Sequence, residues 1–147
     1  MLRISIGSDH GGFEAKEAVK KVLDGKGYIV YDEGTNSTES CHYPLYAEKV
    51  AKRVGANEAD FGIVICTSGE GVCIAANKVK NVRCGIAYND EVAALMRRHN
   101  DANVIAFGAK FMSIEDIIRR VDIFLEATFE GGRHLTRVEM IHEIEKK

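Results

Sequence analysis

No apolar run in this chain approaches the length of a membrane span, and its first residues, Met1-Leu2-Arg3-Ile4-Ser5-Ile6, read straight into a strand without a signal-peptide pattern. Basic charge is not in excess. The 20 Lys and Arg face 22 Asp and Glu, and the formal net charge of −2 argues against general nucleic-acid binding. None of the four cysteines (Cys41, Cys66, Cys73, Cys84) falls in a C-x-x-C pair, so neither a zinc site nor a redox couple is expected. Free thiols of this kind suit a reducing cytoplasm. The dinucleotide fingerprint G-x-G-x-x-G is missing, as are internal repeats and low-complexity tracts. Proline occurs once, at Pro44. What remains is a soluble protein of one domain, residues 1–147, long enough to bury about two-thirds of its unfolded surface.

Strand-like and helix-like segments alternate along the chain. Strands are expected at about 3–8, 28–32, 60–66, 82–87 and 103–107, and helices at about 12–25, 44–55, 71–79, 90–99, 114–127 and 134–146. Short connections between such elements predict an α/β fold: a single Rossmann-like α/β/α sandwich around a five-stranded parallel sheet. Ile63-Val64-Ile65 reads as a strand buried on both faces, the habit of a parallel sheet. The long irregular stretch runs from Gly34 to Tyr43 and is closed by Pro44; loops of that length are more often functional or mobile than structural.

The richest segment follows that apolar strand: Cys66-Thr67-Ser68-Gly69-Glu70-Gly71, then Val72-Cys73-Ile74-Ala75-Ala76-Asn77-Lys78. Strand tips of parallel sheets are where ligands bind. Glycines there let backbone N–H groups face an anion, and the next helix adds its positive end. One short segment thus offers a thiol, a hydroxyl and an anion cradle. A buried strand ending in a tight turn, with Cys66 a small core hydrophobe, reads the same way locally.

Three further stretches carry chemistry. The first strand ends in Ser8-Asp9-His10-Gly11-Gly12-Phe13, an acid and an imidazole at a strand tip; Asp9 also fits a helix cap. The fourth helix has Val92, Leu95, Met96 and His99 on one stripe, where a histidine ordinarily ends the core face or caps the helix. The last helix, about 134–146, carries Leu135, Val138, Ile141 and Ile144 on one face. Arg133 and Arg137, at i and i+4 beside Gly131 and Gly132, converge as a phosphate clamp does, or form a solvated pair.

Taken together these residues resemble the type B ribose-5-phosphate isomerases, a family that includes the subunits of galactose-6-phosphate isomerase. The motifs are Ser8 to Phe13, Tyr43-Pro44, Cys66-x-Ser68-Gly69-x-Gly71 with Ile74 to Lys78, His99-Asn100-Asp101-Ala102-Asn103, and Glu130-Gly131-Gly132-Arg133-His134-x-x-Arg137. The resemblance implies that Cys66 is the base moving a proton between C1 and C2 through a cis-enediolate. It implies that Ser68 shuttles protons or binds enediolate oxygens, and that the amides of Thr67, Ser68, Gly69, Glu70 and Gly71 form the anion hole. His99 would assist furanose opening with Asp9 opposite. Tyr43 and Asn100 would contact substrate, and His10, Arg133 and Arg137 would hold its phosphate. The resemblance further implies a homodimer whose sites are shared, with His99 and Asn100 supplied by the partner chain, and neither metal nor other cofactor.

The chemistry agrees. Aldose–ketose isomerisation needs a base near C2, a cradle for the enediolate and a handle on a group that does not react. Three positions depart from the family pattern. Thr67 stands where most relatives have Gly, and Lys110, a further phosphate contact, stands where several have Arg. Glu70 is acidic where the loop is usually neutral, so its carboxylate is expected to face solvent. The preferred substrate on this reading is ribose 5-phosphate. A six-carbon sugar phosphate such as galactose or allose 6-phosphate is the alternative within the class. A non-catalytic nucleotide or phosphate-ligand binder is the alternative outside it. Whether dimers pair into tetramers stays open.

Overall fold

The computed structural model describes all residues 1–147. In strand β3 (Phe61–Cys66) side chains alternate between two faces. Ile63 and Ile65 enter one apolar cluster, Val64 and Cys66 the other. Both sides of the sheet are therefore cored, as the unbroken apolar run of β3 requires. The remaining strands are β1 (Arg3–Ser8), β2 (Ile29–Asp32), β4 (Cys84–Ile86) and β5 (Val104–Gly108). All neighbours pair parallel, in the order β2-β1-β3-β5-β4.

The helices are α1 (Phe13–Gly25), α2 (Tyr43–Gly55), α3 (Glu70–Asn77), α4 (Asp90–Arg98), α5 (Ile114–Glu126) and α6 (Arg133–Glu145). One face is covered by α1, α4 and α5, through residues such as Val19, Leu23, Met96, Ile117 and Phe124. The other is covered by α2 and α3, through Val50, Val54, Val72 and Ala76. This is the expected α/β/α sandwich. Because the order reverses between β1 and β3, a crevice opens at their C-terminal ends, the usual ligand position in an open parallel sheet.

The elements differ from expectation only at their ends, each time for a local reason. Strand β4 is shorter than 82–87 because the Arg83 amide donates to the Asn103 side chain, 2.8 Å, instead of entering the ladder. Helix α3 stops at Asn77 because the Lys78 and Val79 amides tighten onto Ala75 and Ala76. Helix α6 differs more in its packing. Of its apolar face only Val138 is buried, while Leu135, Met140, Ile141 and Ile144 stay exposed in the single chain.

Candidate active site

Cys66 is the last residue of β3 and is only 5% exposed. Its Sγ accepts the Gly69 amide at 3.2 Å. The turn that returns this amide to the sulfur needs Gly69 in the left-handed region, φ 85°, where a side chain would also press on the Phe107 backbone. The next amide, of Glu70, donates to Ser68 Oγ at 3.2 Å. Helix α3 starts here, so the amides of its first turn have no helical acceptor and face the crevice mouth. The Cys66 sulfur therefore meets a hydrogen-bond donor and the N-terminus of a helix.

Tyr43, the first residue of α2, lies over this loop. A Cβ on Gly71 would stand 2.5 Å from its ring, so only glycine admits the contact. Across the crevice, Asp9 Oδ1 accepts the Gly11 and Gly12 amides at 2.9 and 3.2 Å, so this candidate residue is also a helix cap. His10 Nδ1 accepts the Cys41 amide at 3.2 Å and so ties the Gly34–Tyr43 loop to the tip of β1, leaving Nε2 as the protonated edge. Thr67 turns its hydroxyl toward Gly11, between the tips of β1 and β3, rather than into the amide cradle. Lys110 follows β5, where its amide donates to the Thr67 carbonyl at 3.1 Å. Glu70 is exposed as expected, and its charge falls on Cys73 one helical turn along α3.

The other predicted residues lie elsewhere. Helix α4 runs back toward the start of β5, and His99 and Asn100 follow it. Asn103 O accepts the Gly62 amide, at the opposite end of β3 from Cys66. Four residues of strand separate those levels, about 13 Å, and His99 lies before Asn103 in the chain. His99, Asn100 and Arg137 line one pocket with Tyr88, Val92, Leu95, Met96, His134, Val138 and Ile141. A single chain thus places two clusters of the candidate residues at opposite ends of the sheet. One holds Asp9, His10, Tyr43, Cys66, Ser68, the 67–71 amides and Lys110. The other holds His99, Asn100 and the α6 arginines.

Two details were not read from the sequence. The His99 and His134 rings stack, centroids 4.2 Å apart and planes 9° apart, with Glu130 Oε1 3.7 Å from each Nε2. Glu130 and His134 are i and i+4, a spacing that would have found them. These three donors lie close enough to suggest a metal centre. Parallel rings, however, send their in-plane lone pairs alongside each other, whereas an ion bound at about 2.1 Å needs them to converge. The second detail is the Cys73–Cys84 pair. Cys73 Sγ donates to the Cys84 carbonyl at 3.5 Å, and the neighbouring Cys73 thiol, with burial adding to it, holds Cys84 well above the ordinary thiol range.

An α/β sandwich carrying a buried thiol beside a loop of amides at one end, and imidazoles with paired arginines at the other, has the parts of an enzyme for phosphorylated small molecules. The chain belongs to the ribose/galactose isomerase family, whose profile matches residues 4–141. It is 44% identical over 147 residues to ribose-5-phosphate isomerase B of Escherichia coli strain K12, covering 100% of this chain and 99% of that one. Its fold superposes on the solved Clostridium thermocellum ribose-5-phosphate isomerase B with a TM-score of 0.97 at 46% identity, covering 99% and 98% of the two chains. The Mycoplasma genitalium ribose-5-phosphate isomerase B, solved with bound ribulose-5-phosphate, gives a TM-score of 0.95 at 41% identity, covering 99% and 97%.

Proposed function

We propose that this protein is an aldose–ketose isomerase interconverting D-ribose 5-phosphate and D-ribulose 5-phosphate, in sites built by two copies of the chain. The observation that carries the chemistry is the Cys66 sulfur at the β1/β3 crevice, held 3.2 Å from the Gly69 amide at the start of α3. In the opened aldose, Cys66 thiolate removes the C2 proton. The C–H electron pair becomes the C1=C2 bond of a cis-enediolate, and the charge moves onto O1. The 67–71 amides and Ser68 stabilise that oxygen and exchange the proton between O1 and O2. The thiol then returns a proton to C1, leaving a carbonyl at C2. Before this, His99 and Asp9 open the furanose by moving a proton from the C1 hydroxyl to the ring oxygen. His10, Lys110, Arg133 and Arg137 hold the phosphate and so align C1 and C2 with the sulfur.

The separation of the half-sites supports a homodimer. A two-fold arrangement that sets the strand tips of one chain against the α4–α6 end of the other would build two identical composite sites. It would also cover the exposed Tyr88, Leu135 and Ile141 around the second half-site. Residues 1–147 are then one isomerase domain, with α6 completing the partner's site. Four free thiols suit a reducing compartment such as the cytoplasm.

The test is a panel of pentose and hexose phosphates assayed with the purified protein. Ribose 5-phosphate should give the highest kcat/KM, at least about tenfold above allose or galactose 6-phosphate. A hexose phosphate preferred by that margin would reassign the substrate, and no isomerisation of any of them would leave a binding protein.

A further inference from the structure

Glu130 stands between α5 and α6 with its amide and carboxylate engaged toward the α4 end. Its amide donates to the Arg98 carbonyl at 3.0 Å, and its Oε2 accepts from Arg98 Nε at 3.0 Å. Its Oε1 lies 3.7 Å from Nε2 of both His99 and His134. The carboxylate is therefore fixed on one edge by Arg98 and aims its other edge at two stacked imidazoles. Two imidazolium rings 4.2 Å apart repel, so one carboxylate supports one proton between them.

We propose that Glu130 is a positioning residue for His99, holding the Nε2 edge of its ring against the His134 stack so that Nδ1 meets the sugar during ring opening. This rests on the isomerase reading above and adds to it the group that sets the orientation of His99.

His134 is suited to the silent half of the pair. It is 9% exposed, and its pKa is held below the usual histidine range. Burial is the main cause, followed by the positive charges of His99 and Arg133, with Arg137 adding to them and Glu130 pulling the other way. His99, with a side chain 37% exposed and lining the pocket, is the ring left to carry the exchanged proton. The charged groups around the pair are Arg98 from α4, Glu130 from the loop before α6, and Arg133 and Arg137 from α6 itself. Glu130 is the only anion among them.

A ketose phosphate with its C5 oxygen esterified cannot close a furanose ring, so its enolisation bypasses the step assigned to His99. The test compares two rates in Glu130→Gln. One is turnover of ribose 5-phosphate. The other is exchange of the C1 hydrogen of ribulose 5-phosphate with solvent deuterium. Aldose turnover should fall at least about tenfold, mainly in kcat, while C1 exchange stays within about twofold of wild type. Adding Glu130→Gln to His99→Asn should cost little more than His99→Asn alone, because the two act as one unit. Arg98→Gln frees the carboxylate but keeps its charge, and should show a smaller loss with the same selectivity. Equal losses in both rates for these variants, or no loss in either, would overturn the proposal. Wild-type protein with neither rate would instead overturn the isomerase reading beneath it.

Discussion

Cys66→Ser should lower kcat for ribose 5-phosphate by about a thousandfold while the protein keeps a near-native melting temperature. The serine oxygen still accepts the Gly69 amide and still fits at the buried end of β3. What it loses is acidity: a hydroxyl forms almost no alkoxide near neutral pH, whereas a thiol is intrinsically a far stronger acid. Cys41, Cys73 and Cys84 stand at no such junction, and serine at those positions should leave the chemistry in place. Deuterium from solvent should enter C2 of the aldose during wild-type turnover and be lost in Cys66→Ser. Wild-type kcat in Cys66→Ser would require another base. Glu70 is the carboxylate nearest in sequence, but it is exposed at the start of α3.

Arg137→Ala should reduce kcat/KM by about 30- to 1,000-fold, on the order of 2–4 kcal/mol of transition-state binding, with little change in melting temperature. Arg137 is exposed in the single chain, so the fold loses little packing with it. It lines the pocket of His99 and Asn100, where a doubly charged phosphate would meet a guanidinium with matching geometry. Arg137→Lys should recover only part of the loss, since a point charge replaces a planar fork. Unchanged kcat/KM in Arg137→Ala would make Arg133 and Arg137 a solvated surface pair.

The sheet was legible because its signals are local. The apolar run of β3 and the glycines after β1 and β3 both act within a few residues. Strand tips could therefore be assigned, and with them Asp9, His10, Cys66 and the 67–71 loop. The division of the site was not legible from periodicity. His99 sits on an amphipathic stripe that ordinary core packing would explain, and only the return path of α4 carries it away from Cys66. That a partner chain supplies His99 is what the resemblance implies; the structure shows that His99 and Cys66 lie apart within one chain. Helix α6 misleads in the opposite direction: its apolar face looks like a core face, yet most of it meets no part of its own chain. Thr67 was legible as a departure but not in its direction, because the contact with Gly11 joins residues from two different strand tips. The Glu130–His134 spacing was visible, but its meaning depends on His99 arriving from α4.

Subunit complementation tests the composite site most directly. One variant carries Cys66→Ala; the other carries His99→Asn together with Arg137→Ala. Each should be close to inactive alone. Mixed in equal amounts and allowed to exchange subunits, half of the dimers become hybrids, and each hybrid holds one site with every group intact. The account predicts recovery of about a quarter of wild-type activity. Two folded, dimeric variants that exchange subunits and recover nothing would contradict a site shared between chains, as would a fully active monomer.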